Sequence, residues 1–74
     1  GQAGRAVIAH EAALRIDPDQ AGVHANLAMA LIDLRRYAEA EQHLRTALDI
    51  DPELESARSA LATLENAKAQ TAAK

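Results

Sequence analysis

The sequence predicts an all-α fold of antiparallel helices, and three observations support this prediction. Nineteen of the 74 residues are alanine, the residue with the highest intrinsic helix propensity. Only seventeen larger apolar side chains remain, and Tyr37 is the only aromatic one, so the core must come from helices that approach each other closely. The third observation is an internal repeat of 34 residues, a period that is typical of helical repeat proteins.

Composition argues against several classes of protein. The absence of cysteine excludes a disulfide framework and a cysteine zinc site. No apolar run approaches the roughly 20 residues that span a bilayer, and no signal peptide opens the chain. We therefore expect a cytoplasmic protein without a membrane partner, and leave a periplasmic location open because a chain beginning at Gly1 could be a fragment. The net charge of −3 argues against nucleic acid, and abundant alanine with more arginine than lysine is typical of a GC-rich bacterial genome.

The internal repeat is a short motif that occurs twice. Residues 13–18 read Ala-Leu-Arg-Ile-Asp-Pro, and residues 47–52 read Ala-Leu-Asp-Ile-Asp-Pro. The same shift of 34 residues also pairs Leu27 with Leu61. The clustering of these matches, more than their number, indicates a repeated unit of one or two helices.

Apolar residues at helical spacing define four helices, which we place at residues 3–16, 19–34, 37–50 and 53–67. The first stripe contains Ala6, Ala9 or His10, Ala13 and Leu14. The second contains Val23, Leu27, Leu31 and Leu34, and the third contains Tyr37, Ala40, Leu44, Ala47 and Leu48. The fourth contains Leu54, Ala57, Leu61 and Leu64, and fades into a polar, alanine-rich tail after Glu65.

The ends of these helices are predicted from Asp-Pro pairs. Asp17 and Asp51 are interpreted as N-caps, with Pro18 and Pro52 in the first helical turn. Connections of two to three residues then make neighbouring helices antiparallel. On the helix surfaces, Glu11–Arg15 and Glu41–Arg45 place each acid four residues before a base, an orientation that favours an ion pair.

These positions resemble the tetratricopeptide repeat family. The family's spaced pattern of large, leucine, small and alanine positions is matched by His24, Leu27, Ala28, Leu31, Ala40, Leu44, Ala47 and Pro52. His24 stands where tryptophan is common, and leucines replace the aromatic residues. The resemblance implies a single domain that consists of the second helix of a partial repeat (1–18), a complete repeat (19–52), a capping helix (53–70) and a tail (71–74). It also implies that Ala28 and Ala40 are the close contacts within the complete repeat.

The resemblance further implies a scaffold for protein–protein interaction. Its first helices would line a concave groove that holds a peptide or a partner helix. By position, the groove residues would be Gly22, Ala25, Asn26, Met29, Ile32 and Asp33, followed by Ser56, Ser59, Thr63 and Asn66. Met29 and Ile32 are equally consistent with packing against a neighbouring helix. A clamp for a C-terminal carboxylate is not expected, because Ser56 and Ala60 stand where it needs basic residues.

The sequence gives little support for catalysis, a metal or a cofactor. His10-Glu11 lacks the second histidine of a zinc-protease helix. Ser56 and Ser59 have no glycine turn beside them to form a nucleophile's strained turn. No spacing favours a site formed by the three histidines. His10 and His24 are expected to pack at the core, and His43 is expected to be exposed. A helix-turn-helix DNA binder is disfavoured by the charge and by the 34-residue period.

Two interpretations of function remain. One is an interaction module, and the other is a terminal segment of a larger multidomain protein, such as a bacterial enzyme or secretion component, that positions other parts and has no ligand of its own. The first helix is expected to expose Ala3, Val7, Ile8 and Leu14. We therefore predict that this helix contacts upstream repeats of the same chain or forms a weak homodimer.

Overall fold

The computed structural model describes residues 1–72 and contains four α-helices. They are α1 (Gln2–Ile16), α2 (Ala21–Asp33), α3 (Tyr37–Ile50) and α4 (Glu55–Ala72). No strand occurs in residues 1–72, so the predicted all-α fold is confirmed. Helix α2 lies at the centre, because it packs against the other three helices, whereas α1 contacts only α2. No helix in these residues has the length and apolarity needed to cross a bilayer.

The core is formed by the leucine and alanine positions that the sequence indicates. Leu27, Leu31 and Leu44 are fully buried, as are the two predicted close-contact residues Ala28 and Ala40. A small residue at each close contact allows the helices to approach, so the larger leucines fill the space beside them. The buried cluster also includes Val7, Ala25, Ala30, Ile32, Ala47, Ala57, Ala60 and Leu64. Leu48, the last residue of the third apolar stripe, is only half-buried against it.

The expectation that α1 leaves its apolar residues uncovered is wrong for Val7. Its side chain is only 5% exposed and packs in the core, and Leu14 is half-buried against the same cluster. The periodicity of α1 explains this result, because Val7 and Leu14 are two turns apart on the side that meets α2. Ile8 points away from that side of α1 and is 67% exposed.

The predicted N-caps are also wrong, because both Asp-Pro pairs end a helix and the next helix begins later. Asp17 and Asp51 are the C-caps of α1 and α3, with extended backbone, which is the conformation that a following proline favours. The Asp17 Oδ1 atom accepts the Asp19 N–H at 3.1 Å, and Asp51 does the same for Glu53. The chain then turns, so α2 and α4 begin at Ala21 and Glu55 and the two connections are four residues long.

Helix α4 continues beyond the predicted end at residue 67 and reaches Ala72. Alanines at positions 67 and 69 favour helix over a polar tail. The Lys68 ammonium also donates a hydrogen bond to Glu41 Oε1 at 3.1 Å, which connects the later part of α4 to α3. The proposed tail at 71–74 is therefore helical at residues 71 and 72, and residues 73 and 74 lie outside the described residues.

Only one of the two predicted ion pairs within a helix is present. Arg45 donates to Glu41 at 2.6 Å, whereas no ion pair joins Glu11 to Arg15 in the described part of the chain. The hydrogen bond from Lys68 and the nearby charges of Lys68 and Arg45 lower the pKa of Glu41. Because these groups are exposed, they fix the surface geometry more than they stabilise the fold.

The α2–α3 turn contains the only positive backbone φ outside glycine in residues 1–72, at Arg35 (φ 61°). The Arg36 N–H donates to Leu31 O at 2.8 Å, and the Arg35 N–H donates to Ile32 O at 2.9 Å. These two bonds form a Schellman motif, in which the residue after the helix adopts the left-handed conformation that favours glycine.

We expect Arg35→Gly to stabilise the protein by about 0.5–1 kcal/mol, because glycine avoids the left-handed penalty but loses more entropy on folding. For a domain of this size, the change corresponds to a rise in Tm of roughly 2–8 °C. Thermal unfolding measures it. Arg36→Gly is the control and should not stabilise, because Arg36 has φ −92° and donates two hydrogen bonds to Glu39. An unchanged Tm for Arg35→Gly contradicts the prediction.

Candidate functional site: an exposed stripe on α2 and α4

One stripe of α2 remains open to solvent. Helices α1 and α4 both pack against α2 without contacting each other, and α3 packs against it as well. The four exposed positions of α2 recur every three or four residues and therefore share one side of the helix. They are Gly22, Asn26, Met29 and Asp33. We call this set the α2 stripe.

The predicted groove is corrected at two positions. Ala25 and Ile32 are buried and belong to the core cluster. The stripe inferred from the sequence was too wide, because three neighbouring helices cover α2. They leave a narrower exposed strip than two neighbouring helices would leave. Of the two side chains that were consistent with either role, Ile32 packs inside and Met29 is 40% exposed.

Helix α4 presents a row of small polar side chains. Ala57, Ala60 and Leu64 bury the other side of the helix in the core. The exposed row, which we call the α4 row, contains Ser56, Ser59, Thr63 and Asn66. Thr63 Oγ1 donates to the Ser59 carbonyl oxygen at 3.2 Å, so this hydroxyl still offers its lone pairs as acceptors. Neither the α2 stripe nor the α4 row contains a basic residue.

A second polar feature joins α2 to α3 and involves two histidines. His24 is 7% exposed, as expected for a core residue. His43 was expected to be exposed, but it is half-buried and its Nδ1 lies 2.9 Å from His24 Nδ1. Burial, followed by the nearby charge of His24, lowers the pKa of His43, and the carboxylates of Glu11 and Glu39 oppose that shift. No spacing rule would have revealed this contact, because it joins residues on two helices across a tertiary interface.

His43 also lines an open cleft between α1 and α3 of about 370 Å³, together with Glu11, Leu14 and Arg15. No group of three or more potential metal ligands comes together in the residues that the structure describes. Ser56 and Ser59 are exposed on α4, and neither forms a hydrogen bond with a histidine among these residues. This arrangement does not form the nucleophile–base contact that a serine hydrolase needs.

The sequence of this chain matches a known protein family. A family model of the tetratricopeptide repeat matches residues 1–64. The chain belongs to the tetratricopeptide repeat family. A search of curated proteins and a search of solved structures found no match to it. Members of this family are generally protein–protein interaction modules, and their repeats are typically non-catalytic scaffolds.

Membership in the tetratricopeptide repeat family predicts which part of a repeat each helix forms. Helices α2 and α3 correspond to the predicted complete repeat at 19–52, and α4 corresponds to the predicted capping helix; this division stays a prediction. On that division, the α2 stripe and the α4 row would belong to the first helices of two successive repeats. The sequence pattern predicts that these first helices hold a partner.

Proposed function

We propose that this tetratricopeptide repeat domain binds a segment of a partner protein along the α2 stripe and the α4 row. The observation that supports the proposal most directly is that three helices pack against α2 and leave one narrow strip of it exposed to solvent. Each residue of that strip is exposed to solvent. Side chains on it are free to contact another molecule.

The chemistry of the strip favours a neutral or basic segment that carries an apolar side chain. Gly22 has open space around its Cα, since a Cβ there would meet no atom within 4 Å, so a partner backbone can come close. Asn26 supplies both a donor and an acceptor for that backbone. Met29 supplies a flexible apolar contact, and Asp33 is the only charge on the α2 stripe.

The same residues argue against a carboxylate as the recognised group. Lysine and arginine are the side chains that bind a terminal carboxylate most strongly, and the two exposed strips contain none. The proposed ligand is therefore an internal segment of a protein and not its C-terminus. The partner itself stays unidentified.

Selection from a phage-displayed random peptide library, followed by calorimetry with the selected peptides, tests the proposal. We expect Met29→Ala and Asn26→Ala to weaken binding about tenfold or more each, because a few central contacts dominate most interfaces. The control is Gln42→Ala, an exposed position on α3 that should leave the affinity unchanged. If NMR shift changes on peptide addition map to α3 and leave the α2 stripe unaffected, the proposed surface is wrong.

A second function, the positioning of other parts of a longer protein, is favoured by the outer side of α1. Ile8 is 67% exposed and Ile16 is 87% exposed. Apolar side chains exposed in this way often mark an interface, which upstream repeats or a second copy would cover. Further 34-residue periods ahead of Gly1 in the parent gene would favour this function over a stand-alone module.

A further inference from the structure

The histidine pair has a defined pattern of hydrogen atoms. His24 Nε2 lies 2.8 Å from the Pro18 carbonyl oxygen, which can only accept, so Nε2 carries the proton and donates it. Neutral His24 then has a bare Nδ1 that can only accept. The Nδ1 of His43, 2.9 Å away, must therefore donate. The result is a directed chain from His43 through His24 to Pro18.

The two rings meet end to end and are not stacked face to face. Their centroids are 5.2 Å apart, which exceeds the separation of the two Nδ1 atoms by about the diameter of one imidazole ring. Each bonded nitrogen therefore lies near the line that joins the centroids, and the N–H points almost directly at its acceptor. This arrangement leaves room for one hydrogen atom between the rings and excludes a metal ion bound by both nitrogens.

We propose that the His24–His43 pair is an acid-sensitive contact, which we call the latch. It connects the turn at residues 17–20 and the start of α2 to α3. The latch opens, meaning that the bond between the two rings breaks, when both rings are protonated. A single added proton enters at His43 Nε2 and keeps the bond, because His43 Nδ1 still donates. A second proton must enter at His24 Nδ1. Both Nδ1 atoms would then carry a hydrogen, and neither could accept a hydrogen bond from the other. The two N–H groups would face each other where His24 is buried, so the bond must break.

The two carboxylates near the pair offset part of the cost of the first proton and do not relieve the second. Glu11 of α1 and Glu39 of α3 both act to raise the pKa of His43, and Arg15 of α1 lines the same cleft. Burial still outweighs the two carboxylates, so the pKa of His43 is lowered. Among the residues that the structure describes, the groups interacting with His24 are His43 and the uncharged Pro18 carbonyl.

Opening the latch would loosen the turn without releasing it entirely. Gln20 Nε2 donates to the Asp17 carbonyl oxygen at 3.0 Å and to the Ala13 carbonyl oxygen at 3.3 Å. These bonds do not depend on pH in this range, so they hold the turn to the end of α1. Acid removes the polar contact that joins the turn and α2 to α3. The apolar residues at the α2–α3 interface still hold these two helices together.

The expected consequence is a loss of stability as the pH falls below about 6.5, the usual pKa of an exposed histidine. Below that value the unfolded chain binds a proton on each of the two rings, whereas the hydrogen-bonded pair of the folded state can hold at most one. Stability rises with pH wherever the unfolded state binds more protons. Well below that pH, the folding equilibrium constant should therefore fall about tenfold or more per pH unit until the latch opens.

Urea unfolding between pH 7.5 and 5.5 tests the latch. His43→Ala lets water reach His24, and we expect the folding constant of the wild type to fall about tenfold more over this range than that of the variant. His10→Gln is the matched control and should keep the full wild-type dependence, because His10 lies on α1 outside the pair. Equal pH dependence in the wild type and His43→Ala would overturn the proposal.

A direct observation of the protons provides a second test, which needs no variant. Long-range ¹H–¹⁵N NMR spectra distinguish the two neutral forms of each imidazole ring. At pH 8 we expect the proton of His24 on Nε2 and the proton of His43 on Nδ1. The opposite form at either ring would overturn the proposed chain of hydrogen bonds, whatever the unfolding measurements show.

Discussion

Replacement of Leu44 by alanine is expected to lower the free energy of unfolding by about 2–5 kcal/mol. Leu44 is fully buried on α3 and shares the core with Leu27 and Leu31 of α2. Truncation removes apolar contacts and leaves a cavity between two helices that already meet through alanines. These helices have little freedom to close it, because Ala28 and Ala40 already hold them close together.

The loss would be large compared with the stability that a chain of this length can have. Native proteins are stable by roughly 0.05–0.15 kcal/mol per residue, or about 4–11 kcal/mol for a domain of this size. Urea titration of Leu44→Ala measures the change. Ile16→Ala is the matched control, because its side chain is 87% exposed and should cost less than about 0.5 kcal/mol. A similar small cost for Leu44→Ala would mean that the helical register is wrong.

The fold could be predicted from sequence because repeated local signals agree with each other. The motif at residues 13–18 recurs at 47–52, and leucines and alanines follow the helical period between the two copies. Leu27, Leu31 and Leu44 therefore fell on the correct sides of their helices. The spacing alone fixes which side of a helix is apolar, and a 34-residue period indicates the pairing of helices.

The helix ends were harder to predict, because an Asp-Pro pair is compatible with two structures. Asp17 does accept a hydrogen bond from the N–H two residues later, as an N-cap would. The same bond forms a turn when the chain is extended again at Gln20, where φ is −104° and ψ is 94°. Gln20 is held there by bonds to carbonyl groups of α1 and of the turn. Those tertiary bonds leave no local pattern in the sequence.

The candidate site could also be predicted only where it depends on the spacing of residues along one helix, and not where it depends on neighbouring helices. Asn26 and Met29 were placed on the exposed side of α2, and the structure leaves them exposed. Ala25 and Ile32 were placed there too, but they are buried, since the width of an exposed strip depends on how many helices surround α2. His43 was misassigned for a related reason, because its partner ring lies on α2, 19 residues away in the chain.

Leucine in place of Ala28 or Ala40 is expected to destabilise the protein by roughly 1–3 kcal/mol, the usual cost of overpacking. Both alanines are fully buried and lie on the two helices of the predicted complete repeat, α2 and α3. A leucine at either position would have to displace neighbours that are close-packed, or move one helix away from the other. In the second case the contact around Leu44 would also be weakened.

Ala38→Leu provides the control for these two variants, because Ala38 is exposed on α3 only two residues from Ala40. It adds the same side chain to the same helix and should change the free energy of unfolding by less than about 0.5 kcal/mol. Guanidinium titration of the three variants measures the difference. Equal effects at all three positions would mean that α2 and α3 do not meet through small residues. A selective loss at Ala28 and Ala40 would instead show that close approach, and not apolar surface alone, determines which helices pair in a core with so few large side chains.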